Sequence, residues 1–327
     1  MFSLTNDLHS AAIDFAWLAV FEKQVAPQMQ KYLRDSFLQG DEANSEKYQL
    51  SKIHQIVLKL VPGDLEAELS KTSYSVINSQ DSFGKTALLW AARRGDVQDV
   101  NSLLRNGANP NIPDSMRRSP LHMAARSKSV RIIELLLKFG ATPGVTNFLN
   151  EMPAHYACYE EDSSRLLEPF IQAGIDVNQP SKYGRTLLDI AVQWNHSVLV
   201  RYLIDCGATI EGSNPTDWSQ RPLGRAIFYN VHDSLKALLD KGCDTDFVDK
   251  AGDNILHLLA RHGDTETIQA MDNIRIKHTH TRSLNNSLET PLGIAEARGD
   301  DEFEERFKAI IDKVEQSGHS EITKKEQ

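Results

Sequence analysis

Two constellations in the sequence could do chemistry by residue type and spacing. His155 and Cys158 lie three residues apart. On one helix face they could form an imidazole–thiol pair, the arrangement that activates a cysteine nucleophile. His278-Thr279-His280 could offer two imidazoles to a metal, but no Cys-x-x-Cys pair accompanies it to complete a zinc set. The acidic run Glu160-Glu161-Asp162 reads as a solvated loop. No Gly-x-Ser-x-Gly, P-loop or His-Glu-x-x-His is present. His155 also shares its place in a recurring segment with His54, His122 and His257, and Cys158 stands where other copies carry alanine. Buried cysteine is normally inert. No catalytic residue, metal or cofactor is therefore expected. An unrecognised site in residues 1–50 or in a binding groove stays open as the enzymatic alternative.

Composition points to a folded protein. Hydrophobic residues make up 40 % and charged residues 25 % of the 327. The three cysteines, Cys158, Cys206 and Cys243, are too few for a disulfide framework and fit a reducing cytoplasmic or nuclear setting. The apolar stretch from Ala11 to Phe21 is interrupted by Asp14, has no basic residue before it, and falls short of the roughly 20 residues of a membrane span. A net charge of −9 disfavours nucleic acid as a partner. From Lys85 to Glu134, however, nine basic residues face four acidic ones, which suggests a sided surface.

The elements that would position any site come from an internal repeat. Gly84-Lys85-Thr86-Ala87-Leu88-Leu89-Trp90-Ala91-Ala92 matches Arg117-Arg118-Ser119-Pro120-Leu121-His122-Met123-Ala124-Ala125. Asn150-Glu151-Met152-Pro153-Ala154-His155-Tyr156-Ala157-Cys158 continues it, and four more copies begin at Gly184, Ser219, Gly252 and Leu288. The first alanine position falls at Ala91, Ala124, Ala157, Ala191, Ala226, Leu259 and Ala295, at intervals of 33 to 36 residues.

This pattern resembles the ankyrin family, with its period of about 33 and its Thr-Pro-Leu-His-x-Ala core. The resemblance covers residues 51–314. The opening, from Lys52-Ile53-His54 through Asp64-Leu65-Glu66 to Gly95-Asp96, looks like filamentous-fungal ankyrin proteins. The implied fold is an all-α ankyrin-repeat solenoid of about seven repeats with short hairpin fingers and an N-terminal helical cap. The implied role of the four histidines is structural, bonding the backbone of adjoining hairpin turns.

Local signals agree with that fold. Thr86 and Ser119 can cap a first helix, and Pro120 fits its first turn. Gly95-Asp96, Gly263-Asp264 and Gly299-Asp300 are expected to end one helix with a left-handed glycine and start the next with an aspartate cap. Val100, Leu103 and Leu104 form one apolar stripe on a second helix. Pro169 should kink or shorten its helix. Residues 51–80 read as a capping repeat, residues 273–286 as a surface insertion, and residues 315–327 as a frayed tail in which Glu315 is energetically neutral. Residues 1–50 read as a helical extension, with residues 1–39 forming either a lid or a separate binding element.

The informative positions are those the pattern leaves free. The residue just before the position of the turn glycine is Phe83, Met116, Leu149, Tyr183 and Trp218 in five successive repeats. Turn tips usually prefer polar residues. An exposed apolar ridge would mark an interaction site, unless residues 1–39 cover it. After the alanine pair come Arg93-Arg94 and Arg126, then Tyr159, Trp194 and Phe228-Tyr229. The family's concave face carries such positions, and Trp, Tyr and Arg dominate interface energy. Packing of half-buried rings between repeats is the competing account. The chain is thus expected to be a scaffold that binds a protein or peptide with an apolar anchor and acidic groups. A methyl-lysine cage of Tyr159, Trp194, Phe228 and Tyr229 with Glu160 is the alternative. The repeat reading predicts helix-dominated circular dichroism and an elongated scattering envelope; a strand-dominated spectrum or a compact sphere would contradict it.

Overall fold

The computed structural model describes residues 49–160, 163–212, 217–271, 276 and 278–325. The expected helical extension over residues 1–50 therefore lies, but for its last two residues, outside the described residues. Among the described residues every regular element is helical, apart from an isolated bridge between Val248 and Asn254.

A cap of three short helices, α1 (Lys52–Val57), α2 (Leu65–Leu69) and α3 (Tyr74–Ile77), opens the chain. Seven helix pairs follow. They are α4 (Ala87–Arg94) with α5 (Val97–Arg105), α6 (Pro120–Arg126) with α7 (Val130–Lys138), and α8 (Pro153–Cys158) with α9 (Ser164–Gln172). Next come α10 (Leu187–Gln193) with α11 (Ser197–Asp205), α12 (Pro222–Phe228) with α13 (His232–Asp240), α14 (Ile255–His262) with α15 (Thr265–Ala270), and α16 (Pro291–Ala297) with α17 (Asp301–Lys325). They fall into two compact units, one ending at Phe148 and the other beginning at Leu149. Within each unit, first helices pack on first helices and second helices on second helices.

The apolar stripes explain this packing. Ala91, Ala92, Ala124 and Ala125 are fully buried, which lets the first helices approach closely. Val100 and Leu103 on α5, and Ile132 and Leu136 on α7, are fully buried on the second helices. Thr86 accepts from the Leu89 amide, as a cap should, and Asp96, Asp264 and Asp300 cap α5, α15 and α17.

Four local expectations change. Gly95 and Gly299 are left-handed, at φ 70° and 67°, but Gly263 is extended at φ −67° and ψ 159°. A Cβ there would sit 2.7 Å from the Leu259 carbonyl oxygen, so glycine answers to close packing rather than handedness. Lys128, Asn195 and Asn230 take the left-handed turn in their own repeats. Pro169 does not shorten α9, which has nine residues like α7; one missing amide donor does not outweigh burial of Leu166, Leu167 and Phe170. The inserted segment is anchored: His280 is buried with Nε2 2.7 Å from Asp246, and its carbonyl accepts from Asn254.

The fourth change concerns the C-terminus. Helix α17 continues to Lys325, through the residues expected to form a tail. Phe303, Phe307, Ile310, Ile311 and Val314 bury one face of it. Glu315 accepts from Thr281 Oγ1 at 3.0 Å and from both Nε and Nη2 of Arg282 at 2.9 Å, which joins the helix to the inserted segment.

Two substitutions test the register. Leu136→Ala should cost about 2–5 kcal/mol, because it opens a cavity at a fully buried position. Leu288 is exposed and left-handed at φ 61°, where Gly84, Gly184 and Gly252 stand in other repeats. Leu288→Gly should therefore gain about 0.5–1 kcal/mol in a urea titration. A loss of stability at Leu288→Gly, or none at Leu136→Ala, would show the repeats to be misaligned.

Candidate interaction surface

Within each unit, side-chain bonds to backbone fix repeats against their neighbours. His54 Nε2 lies 3.0 Å from the Lys85 carbonyl and His257 Nε2 3.1 Å from that of Glu289, while their Nδ1 atoms accept from the amides of Ser51 and Asn254. A second ladder runs through amides that sequence reasoning did not single out. Asn78 donates to the Gly107 carbonyl and accepts from the Asn109 amide; Asn111 does the same with Gly140 and Thr142, and Asn178 with Gly207 and Thr209. The asparagine three residues after Gly107-Ala108 and after Gly174-Ile175 was the available signal.

The imidazole–thiol pair is not poised for nucleophilic chemistry. Cys158 is fully buried and burial pushes its thiol far above the ordinary range. His155 is fully buried too; desolvation lowers its pKa to about 4, and its Nδ1 accepts from the Met152 amide at 3.1 Å. Among the described residues no three His, Cys, Asp or Glu side chains converge on a metal-sized site.

Where the histidine is missing, the surface changes character. Asp189 takes the position in α10, bonding the amide and hydroxyl of Thr186 at 2.9 and 3.0 Å. Burial holds its carboxyl above the usual carboxylate range despite Arg225, whose Nε lies 3.4 Å away. In the next repeat Gly224 takes the position. A Cβ there would lie 2.3 Å from the Trp218 carbonyl oxygen, so only glycine admits the 3-10 turn Trp218–Gln220. That turn places Trp218 on Phe228 at 5.5 Å and on His262 at 5.2 Å. Phe228 in turn meets His262 edge-on at 5.0 Å and Tyr229 at 5.1 Å. Burial and the neighbouring Arg261 keep His262 below its ordinary pKa, which favours a neutral ring. His262 and the Gly224 opening were not anticipated, since neither is visible without the turn.

The expected ridge is present only in part. Tyr183 is 60 % exposed, whereas Phe83, Met116, Leu149 and Trp218 are half-buried. The fingers bond tip to tip, Ser115 amide to Phe83 carbonyl in the first unit and Lys182 amide to Leu149 carbonyl in the second, and such close stacking removes exposure. Phe148, beside the half-buried Leu149, is 56 % exposed. Whether residues 1–39 lie over the ridge falls outside the described residues. The expected methyl-lysine cage separates into two ring groups: Tyr159 meets Trp194 edge-on at 6.3 Å, and Phe228 and Tyr229 belong to the Trp218 cluster.

Three of the nine residues of the basic stretch are spent inside the fold, while Arg105, Arg117, Lys128 and Arg131 are exposed. Arg94 bonds the Val57 carbonyl and lies 3.8 Å from Asp96 and 3.7 Å from Asp99. Lys85 is buried with its ammonium 4.2 Å from the Trp90 ring centre, and Arg118 pairs with Asp114 at 2.7 Å. Arg93 and Arg126 are half-buried.

A family model described as ankyrin repeats (3 copies) matches residues 51–147 and 131–214. The chain belongs to the ankyrin-repeat family. Among curated proteins, an E3 ubiquitin-protein ligase of Arabidopsis thaliana, KEG, is 30 % identical over 103 residues, which are 31 % of this chain and 6 % of that protein. The ankyrin repeat domain of human ASB11 aligns with a TM-score of 0.56 at 23 % identity, over 68 % of this chain and 96 % of its own. The ankyrin repeat domain of Bcl-3, a member of the IkappaB family, gives 0.57 and 23 %, over 70 % and 98 %. These structures share the fold, and the all-α ankyrin reading of the sequence holds.

The buried ankyrin histidine has a consequence for stability. Unfolding returns His155 from about 4 to an ordinary 6.5, so the unfolded chain binds the extra proton. The contribution of the neutral ring is complete above pH 6.5 and is lost as pH falls toward 4. Between about pH 7.5 and pH 5 this one group should remove about 2 kcal/mol. His155→Gln should flatten the difference between urea titrations at those two pH values by that amount; an unchanged difference would place the titration elsewhere.

Proposed function

We propose that the chain is a protein-interaction module or scaffold and that the aromatic surface of its second unit holds an apolar side chain of a protein or peptide partner. The Trp218–Phe228–His262 cluster carries this reading. Its rings are fixed by one another before any partner arrives, yet Phe228 and Tyr229 remain 44 % and 45 % exposed. Fixed aromatic anchors with one face in water are what interface hot spots are made from. Exposed Trp194 and Tyr183, and half-buried Tyr159, extend the apolar area within the same unit. Acidic groups on the partner, expected from the basic stretch, would depend on Arg93 and Arg126, since Arg94 is held by the fold itself. The free thiols Cys158, Cys206 and Cys243 suit a reducing cytoplasmic or nuclear setting, and no described helix is long and apolar enough to cross a membrane.

The test begins with partner capture by covalent crosslinking from native extract, with calorimetry on the captured partner. Trp218→Ala should weaken binding by about 2 kcal/mol or more if the ring is a hot spot. Circular dichroism must show the variant folded. Full affinity in folded Trp218→Ala would move the site away from this cluster.

A further inference from the structure

Three fingers of the first unit meet at their tips. The Ser115 amide donates to the Phe83 carbonyl at 3.2 Å, and the Phe148 amide donates to the Met116 carbonyl at 3.4 Å. Neighbouring tips thus present Phe83 and Met116, both half-buried, and the exposed Phe148. Arg117 is exposed beside them, with its guanidinium carbon 5.8 Å from the Phe148 ring centre. That is cation–π distance, and the ring limits how the guanidinium can turn. The backbone of Arg117 is left-handed at φ 60°, at the turn position where Gly84 stands one repeat earlier. An L side chain is strained there and glycine is not. Strain kept at an exposed position points to a use for the side chain.

The other charges of these fingers are consumed inside them. Asp81 is buried and accepts from the amides of Phe83 and Lys85 and from Trp90 Nε1. Asp114 is buried and accepts from the amides of Met116 and Arg118 and from the Arg118 guanidinium. Lys85 is buried against the Trp90 ring. Among the described residues Arg117 has no carboxylate partner. Residues 49–148 hold thirteen basic and eight acidic residues, so the surrounding field favours an anion. One guanidinium matches the two oxygens and single charge of a carboxylate. A phosphoryl group carries nearly two charges and is usually met by several arginines. Of the charged residues at positions 80–86, 113–119 and 146–148, Arg117 alone is exposed.

We infer that the finger tips of the first unit are a second docking site, which binds an acidic linear peptide. An Asp or Glu carboxylate of the peptide pairs with Arg117, and a neighbouring aliphatic or aromatic side chain packs on Phe148 and Met116. The site uses no residue of the Trp218 cluster, so it stands or falls apart from the interaction reading above.

A random peptide library displayed on phage tests this against the full chain, after depletion on Arg117→Gly to remove peptides that bind elsewhere. Enriched peptides should carry Asp or Glu within two residues of a large apolar residue. A synthetic copy of the strongest should bind at least about tenfold more weakly to Arg117→Gly and to Phe148→Ser. The same loss should follow when the acid of the peptide becomes its amide. Arg105→Ala, which removes an exposed cation at the end of α5, should bind at full strength. Thermal melting should show Arg117→Gly at least as stable as the parent, because glycine relieves the left-handed turn while the binding group is lost. No enrichment after depletion, winners without an acid, or equal losses in Arg105→Ala would overturn the inference. So would tighter binding of a copy with phosphoserine in place of the acid, or winners that match a stretch of residues 1–48, which would make the chain its own occupant.

Discussion

Helices of four to nine residues are too short to persist alone in water, and every described α-helix before α17 is of that length. A pair of them cannot enclose its own apolar stripe either. Leu103 or Leu136 becomes buried only when another pair lies against it. Stability therefore resides between repeats, and each conserved-looking feature of the repeat serves that junction. Fully buried alanines bring first helices close. The histidine side chains then bond buried backbone of the following repeat, which would otherwise lack a partner, and the asparagine side chains bond it at exposed turns.

The aromatic surface of the second unit arises where that junction is built differently. In α10 the histidine becomes Asp189, which answers to Arg225 on the next first helix; in α12 the same position becomes Gly224. Removing the side chain there makes room for the turn that carries Trp218. One local rule is broken, a buried ion pair takes over part of the junction, and an aromatic cluster results. Breaking such a pair leaves a buried charge uncompensated and is costly, about 3–5 kcal/mol, so the two residues hold the cluster's base in place. Departures of this kind from a repeat pattern are where function is usually found.

This also explains how far the sequence could be read. The repeat period, the Thr86 and aspartate caps and the alanine pairs were legible because each acts through neighbours a fixed distance along the chain. The rings after the alanine pairs were legible as candidates for the same reason. What escaped depended on distance in space. Arg94 looks like its surface neighbour Arg93 until α1 supplies the Val57 carbonyl. Glu315 looks like tail until Arg282, more than thirty residues earlier, meets it. The ridge was over-read because a tip residue's exposure depends on how tightly adjacent fingers stack, and the finger-to-finger bonds leave Tyr183 out and Phe83 half in. Gly263 shows a glycine chosen for space rather than handedness, a distinction φ alone reveals.

A scaffold of this sort has an energetic reason to carry its rings in a cluster. An isolated exposed tryptophan would lose rotamer freedom on binding, by about 0.5–1.5 kcal/mol for each side chain immobilised. Trp218, Phe228 and His262 have already lost that freedom to one another, with centres 5.0 to 5.5 Å apart. Their mutual contacts also shield part of the apolar area that would otherwise invite nonspecific association, while the outward faces stay available. The neutral state of His262 belongs to the same economy, because a charged imidazolium between two rings would draw water into the cluster. The junction that stabilises the repeats thus also sets the rings of the cluster against one another.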